Sequence, residues 1–196
     1  MRYKRKSMRA NLVSLVAIHI GTLALLHPIA GSRAKGTDGQ RQKGIQANNW
    51  QRRNANKSAA HLVGIKKGTN KTLSWKPTHE LSFVRPSMKY ADANLIVHRD
   101  GLYYVYCQVA FRGRVANIVL FSQVIQHDSD FRNNVLLSGI ESVAGPSSGS
   151  SMWYATLGQG GLARLKGGYH LSVIVSHPEL VDDRDGMTFF GLVMVS

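Results

Sequence analysis

Gly101-Leu-Tyr-Tyr-Val-Tyr-Cys-Gln-Val-Ala-Phe111 decides how this chain folds, because it reads as one β-strand with two working faces. Side chains alternate across a strand. Tyr103, Val105, Cys107, Val109 and Phe111 therefore point one way, and Leu102, Tyr104, Tyr106, Gln108 and Ala110 the other. A strand in a one-sided sheet alternates apolar with charged residues; this one alternates apolar with large aromatic, so its second face also needs cover. The last apolar run repeats the pattern, with Phe190, Leu192 and Met194 on one face and Phe189, Gly191, Val193 and Val195 on the other. A terminal strand apolar on both sides is no solvent-washed edge. Cover must come from outside the sandwich, the alternative being that the rings fill a thick single-chain core.

Outward from these runs, residues 59 to 196 show short apolar or alternating segments punctuated by turn residues, and no amphipathic stretch long enough for a sizeable helix. Strands are predicted over 60–65, 72–75, around Phe83 and Met88, and over 94–98, 101–112, 116–126, 134–143, 151–157, 162–165, 169–177 and 187–195. So many short strands predict an all-β antiparallel sandwich. Asp100-Gly101 and Lys166-Gly167-Gly168 read as hairpin turns. His61 and His79 stand in polar surroundings by sequence.

The formal charge of +14 suggests nucleic acid until it is divided. Residues 1 to 58 carry 12 Lys or Arg against one acid, and residues 59 to 196 carry 13 against 10. A nucleic-acid module builds its basic surface on the folded scaffold, so the sequence predicts no nucleic-acid partner. Cys107 is the single cysteine, which excludes an intrachain disulfide and a cysteine zinc cluster within one chain. In an apolar strand it reads as a small buried hydrophobe with an inert thiol.

Arg2, Lys4, Arg5, Lys6 and Arg9 precede an uncharged stretch from Asn11 to Ala30. That is about the length needed to cross a bilayer at roughly 1.5 Å per residue, and the basic flank keeps the amino end in the cytosol. Residues 1–10 are thus expected to be a cytoplasmic tail and 11–30 a transmembrane signal anchor, with a cleaved signal peptide as the alternative; either outcome places residues 35 to 196 outside the cell. Residues 31–58 contain only Ile45 and Trp50 as large apolar side chains, too few to offset chain entropy, and read as a polar basic stalk. Asn56 and Asn70 open glycosylation acceptor triplets, and Arg52-Arg53 is a dibasic processing site.

Residues 59–196 also resemble a tumour necrosis factor homology domain. The resemblance is carried by Ala60-His-Leu, Leu73-Ser-Trp, the strand from Gly101 continued by Arg112-Gly, Val135-Leu-Leu-Ser, Trp153-Tyr, Gly160-Gly followed by Leu165-Lys-Gly, and Thr188-Phe-Phe-Gly-Leu. It implies a jelly-roll protomer, a homotrimer around a three-fold axis, and a type II membrane cytokine, tethered at the cell membrane or shed, that clusters cysteine-rich receptors. By the same resemblance, Tyr104, Tyr106, Phe189 and Val195 face neighbouring protomers. Phe131, Lys66, Lys67, Asp182, Asp183 and Arg184 lie on loops that border the receptor groove. The chain departs from relatives in lacking the loop cysteines that some of them pair or use for zinc. Gly158 stands where several place an axial tyrosine.

No nucleophile with an orienting base, no His-Glu-x-x-His spacing and no phosphate loop is present, so neither an enzyme, a metal nor a cofactor is predicted. The run Asp182, Asp183 and Asp185 lacks the oxygen-ligand spacing of a calcium loop. Two alternatives remain: a complement C1q-type jelly roll, although no Gly-X-Y stalk is present, and a glycan- or heparin-binding module using the basic stalk.

Overall fold

The computed structural model describes residues 57–65, 70–128, 132–147 and 149–196, the Asp185 side chain excepted. These form 11 strands: β1 Ala59–Ile65, β2 Ser74–Lys76, β3 Phe83–Val84, β4 Met88–Ala91, β5 Asn94–Val97, β6 Gly101–Gly113, β7 Ile118–His127, β8 Asn133–Val143, β9 Trp153–Leu165, β10 His170–Val175 and β11 Phe189–Met194. Two 3-10 turns, Pro178–Leu180 and Arg184–Gly186, precede β11. No α-helix, and no helix long and apolar enough to cross a membrane, occurs among the described residues. The segments expected as tail, anchor and most of the stalk lie outside them.

The strands pair antiparallel in two sheets, one ordered β2-β1-β11-β6-β9 with β3 also on β1, the other β4-β5-β10-β7-β8. Alternation sends Leu62, Tyr103, Val105, Val109, Phe111, Phe190 and Leu192 of the first sheet against Leu95, Val97, Leu120, Val124, Leu171, Val173 and Val175 of the second, and all are buried. Cys107 joins this core, and burial pushes its thiol up to about 12, which leaves it unreactive. Ser58, expected as the last stalk residue, is buried, and its carbonyl accepts the Met194 N–H at 2.8 Å, so the folded unit starts before β1.

Two sequence expectations need correction. Asp100-Gly101 and Lys166-Gly167-Gly168 are not hairpins: each carries the chain from one sheet to the other. The two crossovers are clasped together, with Gly167 N–H donating to Asp100 Oδ1 at 2.8 Å and Gly168 N–H to the Val97 carbonyl at 2.7 Å. A Cβ on Gly167 would stand 3.0 Å from the His98 carbonyl oxygen, which is why this crossing uses glycine. The tight two-residue hairpin lies instead between β4 and β5, at Asp92 and Ala93 with φ of 49° and 64°. There Asn94 Nδ2 donates to the Asp92 carbonyl at 2.7 Å.

The second correction concerns 151–157 and 162–165, expected as separate strands. They are one strand, β9, paired with β6 from Gly101↔Leu165 to Gly113↔Trp153 without a break through Gly158-Gln159-Gly160-Gly161. Glycines that read as an interruption are here strand residues. Side chains from β6 occupy part of the space they leave.

Candidate functional site

The outward face of the β1-β11-β6-β9 sheet carries the rings that the sequence left without cover. Register sets them in three rows. Ala59, Val193, Tyr104 and Leu162 form the first, Phe83, His61, Gly191, Tyr106 and Gly160 the second, and Val63, Phe189, Gln108 and Gly158 the third. Within β1, β3, β11, β6 and β9 the three rows contain no Lys, Arg, Asp or Glu; Lys76, paired with Val63, continues the third row on β2 at its margin. Such a wide uncharged surface is uncommon on a protein that works alone. Because these rings sit outside the sandwich, they do not fill a single-chain core.

The rings lie along the sheet and touch one another. His61 stacks on Tyr106 at 5.8 Å and on Phe83 at 6.3 Å, with Phe189 tilted at 5.3 Å. Tyr104 stacks on Tyr106 at 6.1 Å, and Phe189 meets the edge of Tyr106 at 6.3 Å. His61 Nδ1 and the Tyr106 hydroxyl share a hydrogen bond of 3.0 Å across Gly191. Two glycines make this geometry possible. A Cβ on Gly191 would stand 2.5 Å from Tyr106 Cζ, and one on Gly160 would stand 2.9 Å from Tyr104 Cζ. Gly158 is different, with no atom near its Cβ position, so the third row ends in open space.

Exposure grades across this face. Leu162 is 64% exposed and Phe83 48%, whereas Tyr104, Tyr106 and Phe189 are half-buried by their neighbours. Burial, with Tyr104 adding to it, pushes the Tyr106 hydroxyl up to about 12. Burial, followed by the nearby charge of His79, holds His61 below its ordinary 6.5. The polar surroundings read for His61 are thus corrected: its neighbours along the chain are Ala60 and Leu62, and its neighbours in space are rings.

Val195 stands just beyond β11, 36% exposed, its N–H donating to the Leu102 carbonyl at 2.7 Å. His61, Phe83, Leu162, Gly160 and Gly191 had no role by sequence. Alternation in β1 alone would have turned His61 outward between buried Ala60 and Leu62. The glycine cradles depend on inter-strand register and had no local signal.

Of the residues expected to border a receptor groove, Lys66, Lys67 and Phe131 lie outside the described residues, as do Asn56, Arg52 and Arg53. Described residues do frame the Phe131 loop: Arg132 Nε donates to Asp128 Oδ2 at 3.1 Å, and His127 Nδ1 lies 2.7 Å from Asn133 Oδ1. Asp182 presents no carboxylate to solvent, since its side chain is 1% exposed against 51% for Arg184. Arg184 Nε donates to Asp182 Oδ1 at 2.8 Å and its Nη2 to Oδ2 at 2.6 Å. These hydrogen bonds, then the nearby positive charge, hold the Asp182 carboxyl below its ordinary range and raise Arg184 further. Asp182 is therefore the anchor, Arg184 the group offered outward, and Asp183 is half-buried beside them. Asn70 is exposed, its Oδ1 accepting the Thr72 N–H at 3.1 Å. Among the described residues no group of three His, Cys, Asp or Glu side chains could hold a metal.

The sequence model of the TNF (Tumour Necrosis Factor) family matches residues 73–195. Lymphotoxin-beta of Notamacropus eugenii is 35% identical over 163 residues, covering 70% of this chain and 65% of that protein. Lymphotoxin-beta of Homo sapiens is 36% identical over 157 residues, 70% of this chain and 64% of that protein. Tumor necrosis factor ligand superfamily member 6 of Homo sapiens is 29% identical over 137 residues, 69% of this chain and 48% of that protein. The chain thus spans about half to two thirds of the length of these curated relatives. A match over most of the chain, on a two-sheet antiparallel sandwich of jelly-roll type, has one consequence: the chain belongs to the tumour necrosis factor family.

Proposed function

We propose that this chain is a cytokine, not an enzyme, that assembles as a homotrimer and clusters cysteine-rich receptors of the tumour necrosis factor receptor type. The uncharged ring face of the β1-β11-β6-β9 sheet is the observation that carries this reading. Leaving Leu162 and Phe83 largely in water and the tyrosines half-covered is costly. Burying each ring against another copy contributes on the order of 1.5–3 kcal/mol. Three copies then form three equivalent grooves, and engaging several receptors at once brings their cytosolic tails together. Arg184, held by Asp182, and Phe131, Lys66, Lys67 and Asp183 are the proposed groove residues. Charges there steer encounter and partner choice more than they add affinity.

In this proposal residues 11–30 anchor the protein in the cell membrane, residues 31–58 space the domain from it, and cleavage near Arg52-Arg53 releases a soluble form. Asn70, exposed in its turn, and Asn56 take N-linked glycan. Sedimentation of the purified full chain in neutral detergent tests the assembly, with a particle of three chain masses at micromolar concentration as the expected result. Tyr106→Asp should release protomers, because it forces a charge from each copy into that ring face. A wild-type chain that sediments as a folded monomer would falsify the reading.

A further inference from the structure

We propose that His61 makes the assembly acid-sensitive, the copies associating while its imidazole is neutral and separating when it takes up a proton. This rests on the homotrimer reading, since it concerns the same face. His61 sits inside that face, not at its margin: Tyr106, Phe83 and Phe189 approach its ring, and its Nδ1 is engaged by the Tyr106 hydroxyl. The titratable groups that reach it are few. β6 brings Tyr106 with Tyr104 behind it, the turn after β2 brings His79, and β3 and β11 bring only Phe83 and Phe189. Among the described residues no carboxylate is one of them. A proton on His61 therefore meets neutral rings and the unfavourable charge of His79.

Burial already disfavours that proton in the single protomer. Covering the face with another copy removes the remaining solvent and disfavours it further. Attraction of the cation to the ring faces offsets only part of this, being smaller than the desolvation of a charge. The sign comes from linkage: the separated protomer binds the proton better than the assembly does, so acid favours separation. Association is at full strength above the ordinary value of 6.5 and weakens as pH falls through the protomer's lower His61 value. About one pH unit below that value, roughly one protomer in ten is neutral. Because three must be neutral together, the trimerisation constant falls about a thousandfold.

The test is sedimentation of the full chain in neutral detergent at pH 7.5 and pH 5.0, with far-ultraviolet circular dichroism at both. Wild type should be a trimer at pH 7.5 and a protomer at pH 5.0 with its strand signal retained. His61→Gln or His61→Phe, which cannot titrate, should remain a trimer at both, and His79→Gln should behave as wild type. A wild-type trimer that persists at pH 5.0, or variants that dissociate as wild type does, would overturn the proposal. A wild-type monomer at pH 7.5 sinks the homotrimer reading and this one with it, and is distinguishable from the other outcomes. Should neither variant assemble at pH 7.5, the His61 ring resonances of wild type decide. They must titrate at lower pH in the trimer than in the same chain diluted to protomers, and equal values overturn the proposal.

Discussion

Replacing Gly191 by alanine probes whether the rings lie flat on the sheet. The added Cβ would stand 2.5 Å from Tyr106 Cζ and 2.5 Å from the Ala60 carbonyl oxygen, where ordinary contact starts at 3.4 Å. The ring could swing away, but the oxygen belongs to the β1 backbone, held in register against β11 by the Ala60↔Leu192 pair. Overpacking of this kind costs about 1–3 kcal/mol. Lifting Tyr106 also breaks its hydrogen bond to His61, a net loss of about 0.5–1.5 kcal/mol. Together about 2–4 kcal/mol is expected, a large share of the roughly 5–15 kcal/mol that holds a domain folded. Gly158→Ala is the internal control on the same face: nothing in the protomer lies within 4 Å of its Cβ, so at dilutions that keep protomers apart a gain of about 0.4–1 kcal/mol from a stiffer unfolded chain is expected. Gly160→Ala falls between, because its nearest obstacle is the movable Tyr104 ring and no backbone atom. Urea unfolding followed by fluorescence of the buried Trp75 and Trp153 reads all three. Protein concentration must be held fixed, because the proposed assembly would feed into apparent stability. If Gly191→Ala matches wild type within about 0.5 kcal/mol, or Gly158→Ala costs as much, the described ring geometry is wrong.

Asp182→Asn should destabilise the domain by about 2–3 kcal/mol, since the Arg184 and Arg112 guanidinium groups lose a buried anion. The Asp182 carboxyl titrates below its ordinary 3.8, so its contribution is full above that pH and is lost as pH falls through the lower folded value. The stability gap between wild type and Asp182→Asn should accordingly be constant from pH 7 to 5 and close below about pH 4; a gap that persists in acid would exclude the ion pair as its source. Phe131→Ala should leave the oligomer intact and weaken receptor binding by at least tenfold, as removal of an aromatic anchor does. Surface plasmon resonance at matched protein concentration reads this, and unchanged affinity removes Phe131 from the proposed groove.

The core was legible because strand alternation is a local signal. Tyr103, Val105, Val109 and Phe111 could be sorted from Tyr104 and Tyr106 by counting along one segment, and burial matches that count. What joined the segments was not local. Asp100-Gly101 and Lys166-Gly167-Gly168 have the composition of hairpin turns, but a turn's composition does not say whether the next strand pairs with the last one or crosses to the facing sheet. That depends on partners remote in sequence, here the Asp100 carboxylate meeting the Gly167 N–H.

The same limit governs the candidate site. Tyr104, Tyr106 and Phe189 announce an uncovered face by their size, whereas Gly160 and Gly191 read as breaks or flexibility. Only the register Tyr106↔Gly160 and Gly191↔Tyr106 shows that they are the space into which rings fold. His61 is the sharper case, because a histidine flanked in sequence by alanine and leucine carries no hint of three rings. Its neighbours come from β3, β6 and β11, brought together by antiparallel pairing over as many as 128 positions of chain, from His61 to Phe189. A side chain whose environment is assembled entirely from other strands is where reading along the chain fails. In the proposed assembly it is also where a protonation event would act between copies, because one ring on β1 is coupled to β3, β6 and β11.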